Sequence, residues 1–521
     1  MRQGPWTGRY PAAAAMVIFA LVPYLALSAA LQPITPIIAR DLHMSLQALS
    51  LTSGMANAAY AVGTVLAVLL AQHLPQRRML VLYAALLVLG SVLAAAAPDA
   101  SFFIVGHVLQ GLCTSLLLIA AVPPLVVSFS ISKLRFTAMI LNVCIFGAVA
   151  LGPLVGGIQA QANEWRPLFW IIAGIAAAAL VLSLLTFQDA PPADPSATRN
   201  PLPVGLAAVG CVALFYGSSE LLTHSFRDAV TVVPLAGGLA LIVVLLVYQY
   251  RARRPLLCIR PLGSTLPVSG IVVAMCAAAS SISAVALAAI LLRNEFTPVH
   301  LGLLQFPEFI AALITAGLLG LVFRTRGLHY LVLGGMLSLI AGILVLKSQL
   351  PPTSLAMALG SGLIGLGVGG SVAPALFIAG FSLRNNALQR VFAIIELLRA
   401  VAAFMVGPVL AHVAATVGGS PAAGTQTALW ICFGIATGGT LCAVSLYALG
   451  GVRPPAPAVE VWMSGEAPAW YSPPLLDRIR DSSGARVRTE PLACDAGGQY
   501  GGPRDEDSGA SVADRAADAV T

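Results

Sequence analysis

Long apolar stretches follow one another along most of the chain, with short polar segments between them. A helix that crosses the apolar core of a bilayer needs about 20 such residues. Six stretches of this kind come first, at about residues 12–32, 50–72, 79–97, 102–125, 137–160 and 168–187. Eight more follow at about 202–221, 229–249, 265–291, 301–323, 329–347, 353–380, 388–415 and 426–449. The pattern predicts an all-α polytopic membrane protein with 14 transmembrane helices, since long unbroken apolar runs are not typical of transmembrane strands.

The composition excludes several classes of protein for the chain as a whole. Hydrophobic residues make up 58% of it and charged residues only 9%, whereas an average soluble domain carries about 25% charged residues. So few charges cannot cover a water-exposed surface. This excludes a soluble enzyme, a nucleic-acid-binding protein and a disordered scaffold. We therefore expect a lipid bilayer around the protein and no nucleic-acid partner.

The placement of basic residues predicts the orientation. With a cytoplasmic N-terminus, one set of loops holds 13 Lys and Arg residues and the opposite set holds 5. Cytoplasmic loops carry the excess of Lys and Arg, so both termini are expected in the cytoplasm and the protein in the cytoplasmic membrane. No clear cleavage site follows the first apolar run, which we expect to be a span. Lysine occurs only at Lys133 and Lys347, and this preference for Arg favours a GC-rich, bacterial source.

The spans and the polar segments divide the chain into four parts. We expect an N-terminal six-helix bundle in residues 1–188, a linker and two extra helices in 189–255, and a second six-helix bundle in 256–450. This 6+2+6 arrangement is typical of transporters built from repeats. Residues 451–521, rich in Gly, Pro, Ser and charged residues, are predicted to be a disordered cytoplasmic tail. The alternative is a short membrane-surface or partner contact made by Trp462, Trp470 and Tyr471.

The fifth span contains a distinctive group of small residues around a proline. Its members are Gly147, Gly152, Pro153, Gly156 and Gly157. Glycines four apart form a flat helix face on which another backbone can pack closely, and proline bends the helix by removing a hydrogen bond. Ordinary close packing would also explain the glycines. The complete G-x4-G-P-x2-G-G pattern, however, resembles the antiporter motif of drug:proton exporters in the major facilitator superfamily.

Three further stretches strengthen the resemblance to the fourteen-span drug:proton antiporters. Residues 106–111 (GHVLQG) are similar to the fourth-helix motif R-x-x-Q-G, with His107 at the position of the arginine and Gln110 as the glutamine. Residues 165–170 (WRPLFW) resemble the family's W-R-W-x-F segment. Arg399 lies where the family has an arginine in the thirteenth span. The resemblance covers about residues 12–450.

Besides His107 in place of arginine, two further charged positions of the family pattern have changed. In the loop after the second span only the basic pair Arg77 and Arg78 remains, and Gln72 replaces the acidic residue of a contact that governs the conformational switch in the family. In the first span, Leu27 stands at the position of the membrane-embedded acid and Gln32 at that of the asparagine. The loop contact of the family must therefore be weaker or absent here, and the family's membrane-embedded acid in the first span is missing.

Ionisable side chains inside the spans are candidates for coupling or binding. A charge at the bilayer centre costs at least about 2.5–3.5 kcal/mol, so such a residue usually faces a cavity or a partner. Glu396 and Arg399 are three residues apart and share a helix face. They form either a structural ion pair or a substrate or proton site. Glu308 has no opposite charge nearby and either carries a proton or lies at headgroup level. His107 relays protons or is a packing residue.

These observations and the resemblance imply a secondary transporter. We expect a proton-coupled exporter of small amphipathic compounds, with Glu308, Glu396, Arg399, His107, Gln32 and Gln110 as coupling or substrate candidates. The alternatives are a proton-independent or anion transporter of the same fold, and a membrane receptor or scaffold that transports nothing. The sequence has no Walker A, H-E-x-x-H or G-x-S-x-G motif, so we expect no enzyme activity, no metal and no cofactor.

Overall fold

The computed structural model of the chain describes residues 4–187, 192, 200–452 and 456–475. Fourteen of its helices are long and apolar enough to cross a membrane, and they coincide with the fourteen predicted spans. The first six, α1 to α6, are Tyr10–Asp41, Leu46–His73, Gln76–Ala95, Ala100–Val127, Ile131–Ala162 and Arg166–Thr186. The prediction of an all-α polytopic protein is thereby confirmed.

The remaining spans follow after the segment 189–200, most of which lies outside the described residues. Helices α7 and α8 are Leu202–Glu220 and Ala229–Arg251. The last six, α9 to α14, are Thr265–Leu292, Pro298–Val322, Gly327–Ser348, Ser354–Phe381, Leu388–Thr416 and Pro421–Leu449. A short helix, α15, covers Val459–Ser464.

Polar side chains at the helix starts explain where several spans begin. The carboxylate of Asp99 accepts hydrogen bonds of 2.8 and 3.2 Å from the backbone N–H groups of Ser101 and Phe102 at the start of α4. Ser45 and Ser420 cap α2 and α14 in the same way. Such caps satisfy backbone donors that have no partner within the helix. These three spans therefore start at a defined, capped residue.

The helices contact one another mainly within two groups. Helices α1–α6, the N-terminal helices, pack among themselves, as do α9–α14, the C-terminal helices. Contacts between the groups are made chiefly by two crossed pairs, α5 with α10 and α2 with α13. Helix α7 packs between α8 and α2. The second and fifth helices of each group thus carry the interface between the groups.

The expectation of a fully disordered tail is wrong for part of residues 451–521. Residues 456–475, which we name the strap, contain α15 and lie against the ends of the C-terminal helices. Trp462 and Trp470 are buried, whereas Tyr471 is 75% exposed. Two indole rings bury enough apolar surface to order a segment whose overall composition is typical of disorder. Residues 476–521 lie outside the described residues.

Candidate functional site

A cavity lies between the N-terminal and the C-terminal helices. Its volume is about 560 Å³, including the space open to solvent. Leu25, Phe146 and Val149 line it from α1 and α5, and Ile282 and Phe404 from α9 and α13. Most of its walls are apolar. Two charged side chains, Glu308 and Arg399, also line it, and we call it the central cavity.

Glu308 lies well inside α10, on the side that faces the central cavity. Helix α10 begins at Pro298, so ten residues with a rise of about 1.5 Å each separate Glu308 from the helix start. This position favours a cavity-facing acid over one at headgroup level. Glu308 is partly buried, and its carboxylate forms no ion pair among the described residues. An ionised group that is removed from water without a partner is costly. Glu308 therefore faces the cavity without an ion-pair partner among the described residues.

Glu396 and Arg399 form a buried ion pair on α13, as their spacing predicted. Their side chains are 0% and 6% exposed. The Nε of Arg399 donates a 2.9 Å hydrogen bond to Oε2 of Glu396, and a second guanidinium nitrogen contacts Oε1. The bidentate geometry strengthens the pair and fixes its orientation. Arg399 thus reaches the central cavity with its charge already compensated.

A third residue, Tyr60, completes this cluster from the other group of helices. The hydroxyl of Tyr60 on α2 donates a 2.8 Å hydrogen bond to Oε1 of Glu396. The ring stacks on Tyr24 of α1 at a centroid distance of 6.0 Å, and the edge of Phe404 meets it at the same distance. One carboxylate therefore joins α2 to α13, the helices of one of the two crossed pairs.

His107 and Gln110 lie within the N-terminal helices and do not line the central cavity. The Nδ1 of His107 lies 3.2 Å from Oε1 of Gln110, whose amide donates to the hydroxyl of Ser91 at 3.1 Å. The imidazole is packed between the rings of Tyr24 and Phe103. This is the placement of a packing residue with a satisfied hydrogen bond.

Gln32 lies apart from the other candidates. It is exposed in the second half of α1 and is not among the residues of the central cavity. The six coupling and substrate candidates of the sequence therefore separate into three groups. Glu308, Glu396 and Arg399 belong to the cavity and its ion pair, His107 and Gln110 to a buried network, and Gln32 to the surface.

The glycines of the fifth span allow α5 to approach two other helices closely. A β-carbon on Gly152 or Gly156 would lie 2.6 or 2.3 Å from a carbonyl oxygen of α1. On Gly157 it would lie 2.4 Å from the carbonyl oxygen of Pro298, at the start of α10. Gly147 ends a π-helical turn, Val143–Gly147, inside α5, and Pro153 follows it within the helix. The motif therefore packs α5 against both groups of helices.

The basic pair after the second span, at the start of α3, has two different environments. Arg77 is partly buried and donates a 3.0 Å hydrogen bond to the carbonyl oxygen of Leu184, near the end of α6. Arg78 is exposed. Gln72, which replaces the acid of the family pattern, is buried at the end of α2. Arg77 thus links α3 to α6 within the N-terminal helices.

At the opposite face, the Trp165–Arg166 segment joins three helix ends. The indole N–H of Trp165 donates to Asp41 at 3.1 Å. Arg166 donates to the carbonyl oxygens of Ala95 and Ala97 at 3.1 and 2.9 Å. These carbonyls close α3, where helix ends leave acceptors without partners. The segment therefore has a structural function at the ends of α1, α3 and α6.

Two features of the structure, the hydrogen bond of Tyr60 and the strap, have no clear signal in the sequence. Tyr60 is one of many residues in an apolar span, and its partner Glu396 is 336 residues away. The only local signal of Tyr60 is its hydroxyl group, because a hydroxyl buried inside a span requires a hydrogen-bond partner. The strap belongs to a segment whose composition predicts disorder, and its two tryptophans are the only local indication of a contact. Pairing over such distances is fixed by the fold and not by local pattern.

The chain belongs to the Major Facilitator Superfamily. The family model matches residues 17–325, from the first span to the loop after α10. This match confirms the predicted membership of the major facilitator superfamily, and the matched region includes the fifth span with its glycine motif. The cavity and its buried ion pair are therefore features of a major facilitator protein.

Several characterised and uncharacterised relatives share this family. The chain is 27% identical over 270 residues to the uncharacterized MFS-type transporter YubD of Bacillus subtilis, covering 50% of each protein. It is 24% identical over 256 residues to the lincomycin resistance protein LmrB of the same organism, covering 48% of this chain and 52% of LmrB. It is 26% identical over 266 residues to the methyl viologen resistance protein SmvA of Salmonella typhimurium, covering 50% and 53%. The chain spans about half the length of these relatives.

Proposed function

We propose that the protein is a secondary transporter that exports small amphipathic cations across the cytoplasmic membrane in exchange for protons. The observation that carries this proposal is the carboxylate of Glu308, which has no ion-pair partner among the described residues, in a mostly apolar cavity between two groups of helices. An apolar cavity with one acid suits a cargo that combines an apolar body with a positive charge. The same acid can hold a proton when no cargo is bound.

The charge balance of the central cavity favours a cation over an anion. Arg399 lines the cavity, but Glu396 compensates its charge through a bidentate pair. When Glu308 is ionised, the three side chains together carry one net negative charge. A proton or a cationic cargo can neutralise it, and each would disfavour the other. This competition is the elementary requirement for exchange.

The two crossed helix pairs support a rocking movement of two six-helix bundles. In this proposal residues 1–188 and 256–450 are the bundles, and α7 and α8 in residues 189–255 accompany them. Helix α5 packs on α10 through glycines, and α2 is joined to α13 through the bond from Tyr60 to Glu396. Protonation of Glu396, or loss of its hydrogen bond with Tyr60, would weaken the contact between α2 and α13. Movement between the bundles would then open the cavity on one face at a time.

The relatives support the substrate class and the direction of transport. One is named for resistance to methyl viologen, one for resistance to lincomycin, and a third is a tetracenomycin C resistance and export protein from Streptomyces glaucescens. Methyl viologen is an organic dication. Resistance conferred by a membrane protein of this family is consistent with outward movement of the toxic compound. In this proposal both termini of the chain lie in the cytoplasm.

Uptake into everted vesicles tests the proposal. The probes are methyl viologen, a set of lipophilic monocations and a set of organic anions, each with and without a protonophore. We expect accumulation of cations that the protonophore abolishes. Glu308→Gln keeps the shape of the side chain but removes its charge, and should abolish this accumulation. Glu295→Gln is the matched control, because Glu295 is exposed in the loop between α9 and α10.

Other outcomes would contradict the proposal in distinguishable ways. Cation uptake that ignores the protonophore would exclude proton coupling. Selective uptake of anions would mean that Arg399 sets the specificity. Full activity of Glu308→Gln would remove Glu308 from the coupling reaction. Uptake of none of the probes by folded protein would favour a receptor or scaffold.

A further inference from the structure

The strap is fastened to the ends of three C-terminal helices. Backbone and side-chain hydrogen bonds of 2.8 to 3.1 Å join Thr265 and Leu266 to residues 472–474, and Phe381 to Ala469. The ring of Trp470 packs against His329 at 5.1 Å. These anchors belong to the starts of α9 and α11 and the end of α12. All of them lie at the face predicted to be cytoplasmic.

Trp462 is held at one position by its surroundings. Its indole N–H donates a 2.8 Å hydrogen bond to the carbonyl oxygen of Leu383. The side chain of Asn385 donates to the backbone oxygens of Trp462 and Met463 at 2.9 and 3.3 Å. The ring packs on Phe381 at 4.7 Å. An exposed ion pair between Arg324 and Glu460 adds a further anchor.

The indole of Trp462 lines a second cavity, which we name the outer chamber. Its volume is about 650 Å³, including the space open to solvent. Val122 and Val126 of α4 and Leu141 of α5 form one wall, and Phe377 and Phe392 of α12 and α13 form the other. The chamber therefore lies between the N-terminal and the C-terminal helices. Trp462 is the part of the strap that lines it, and α15 also contacts α5.

The outer chamber and the central cavity have one lining residue in common. Ile145 lines both spaces. It belongs to the π-helical turn of α5, and such turns occur frequently at functional sites because they displace the helix register locally. A path from the predicted cytoplasmic face to Glu308 would therefore pass Trp462, then the chamber, then Ile145.

We propose that the strap is a lid on this path and that Trp462 closes it. The lid is fixed to the C-terminal helices, while its indole covers a space whose other wall belongs to the N-terminal helices. Separation of the two groups at this face would draw Trp462 away from α4 and α5 and open the chamber to apolar cargo. This proposal rests on the proposed function in one respect only, since it takes the central cavity as the end of the path.

Cysteine accessibility in the full-length protein tests the lid without any knowledge of the cargo. Val126→Cys places a thiol in the chamber wall, and a membrane-impermeant maleimide is added to everted vesicles, which expose the cytoplasmic face. Protein without the added cysteine gives the background from native thiols. We expect Trp462→Ala to accelerate labelling at position 126 several-fold. Tyr471→Ala is the matched control, because Tyr471 lies on the same strap but is 75% exposed, and it should not change the rate.

A second variant keeps the test decisive if Trp462→Ala does not fold. Asn385→Ala removes the hydrogen bonds that hold the backbone at Trp462 and Met463 but retains the indole, so it should also accelerate labelling, by a smaller factor. Unchanged labelling in both folded variants would overturn the lid. Because labelling needs neither transport nor a proton gradient, failure of the proposed function would leave this result intact, and the reverse also holds.

Discussion

The hydroxyl of Tyr60 on α2 and the carboxylate of Glu396 on α13 form a 2.8 Å hydrogen bond between the two groups of helices. Both side chains are buried, at 1% and 0% exposure. The carboxylate also holds Arg399, so one acid serves an interface and an ion pair at once. A change in the charge of Glu396 would therefore alter both the hydrogen bond from Tyr60 and the ion pair with Arg399.

Tyr60→Phe is expected to destabilise the protein by about 1.5–3 kcal/mol, the usual contribution of a hydrogen bond to a charged group. The ring is retained, so its stacking on Tyr24 should be unaffected. Thermal unfolding in detergent, monitored by size-exclusion chromatography, measures this loss of stability.

Tyr83→Phe is the matched control for this change. Tyr83 is equally buried on α3, and among the described residues its hydroxyl has no hydrogen-bond partner. Its removal should leave the melting temperature unchanged or raise it. Equal losses in the two variants would mean that the bond to Glu396 has no special contribution.

Glu396→Gln is expected to cost about 3–5 kcal/mol, because it leaves the guanidinium of Arg399 buried without its counter-charge. The double variant Glu396→Gln with Arg399→Met removes both charges and should recover most of the lost stability. Transport of cations should fail in both variants if Glu396 takes part in coupling. A single variant as stable as the parent would show that Arg399 finds another partner or water.

The local part of this site could be predicted from the sequence, and the long-range part could not. The spacing of Glu396 and Arg399 fixes them on one helix face, so their pairing follows from helix geometry alone. The fourteen spans follow equally from the length of the apolar stretches. The partner Tyr60 depends on how α2 meets α13, and no pattern within either helix records that contact.

The strap illustrates a different limit of prediction from sequence. Composition averaged over residues 451–521 is typical of disorder, because Gly, Pro, Ser and charged residues dominate it. Order in residues 456–475 depends instead on two indoles and on backbone hydrogen bonds to helix ends. Such docking depends on a receiving surface elsewhere in the chain, and the composition of the segment carries no information about that surface.

Glu308→Gln is expected to leave the melting temperature unchanged or to raise it, in contrast to Glu396→Gln. The carboxylate of Glu308 has an apolar cavity around it and no ion-pair partner among the described residues. Replacement by a neutral isostere removes a desolvation cost instead of breaking a pair. The same unfolding assay measures it. A large loss of stability would reveal a partner for Glu308 and would weaken its assignment as a free proton carrier.

Gly156→Ala is expected to destabilise the protein by about 1–3 kcal/mol, the usual cost of overpacking. The added β-carbon would lie 2.3 Å from the carbonyl oxygen of Ala30 on α1, which is backbone and cannot rotate away. Gly174→Ala on α6 is the matched control, since nothing lies within 4 Å of its β-carbon. It should be neutral or slightly stabilising, because Ala favours helix over Gly by up to about 1 kcal/mol. Comparison of the two melting temperatures isolates the contact with α1, and equal values would mean that α5 and α1 can separate at no cost.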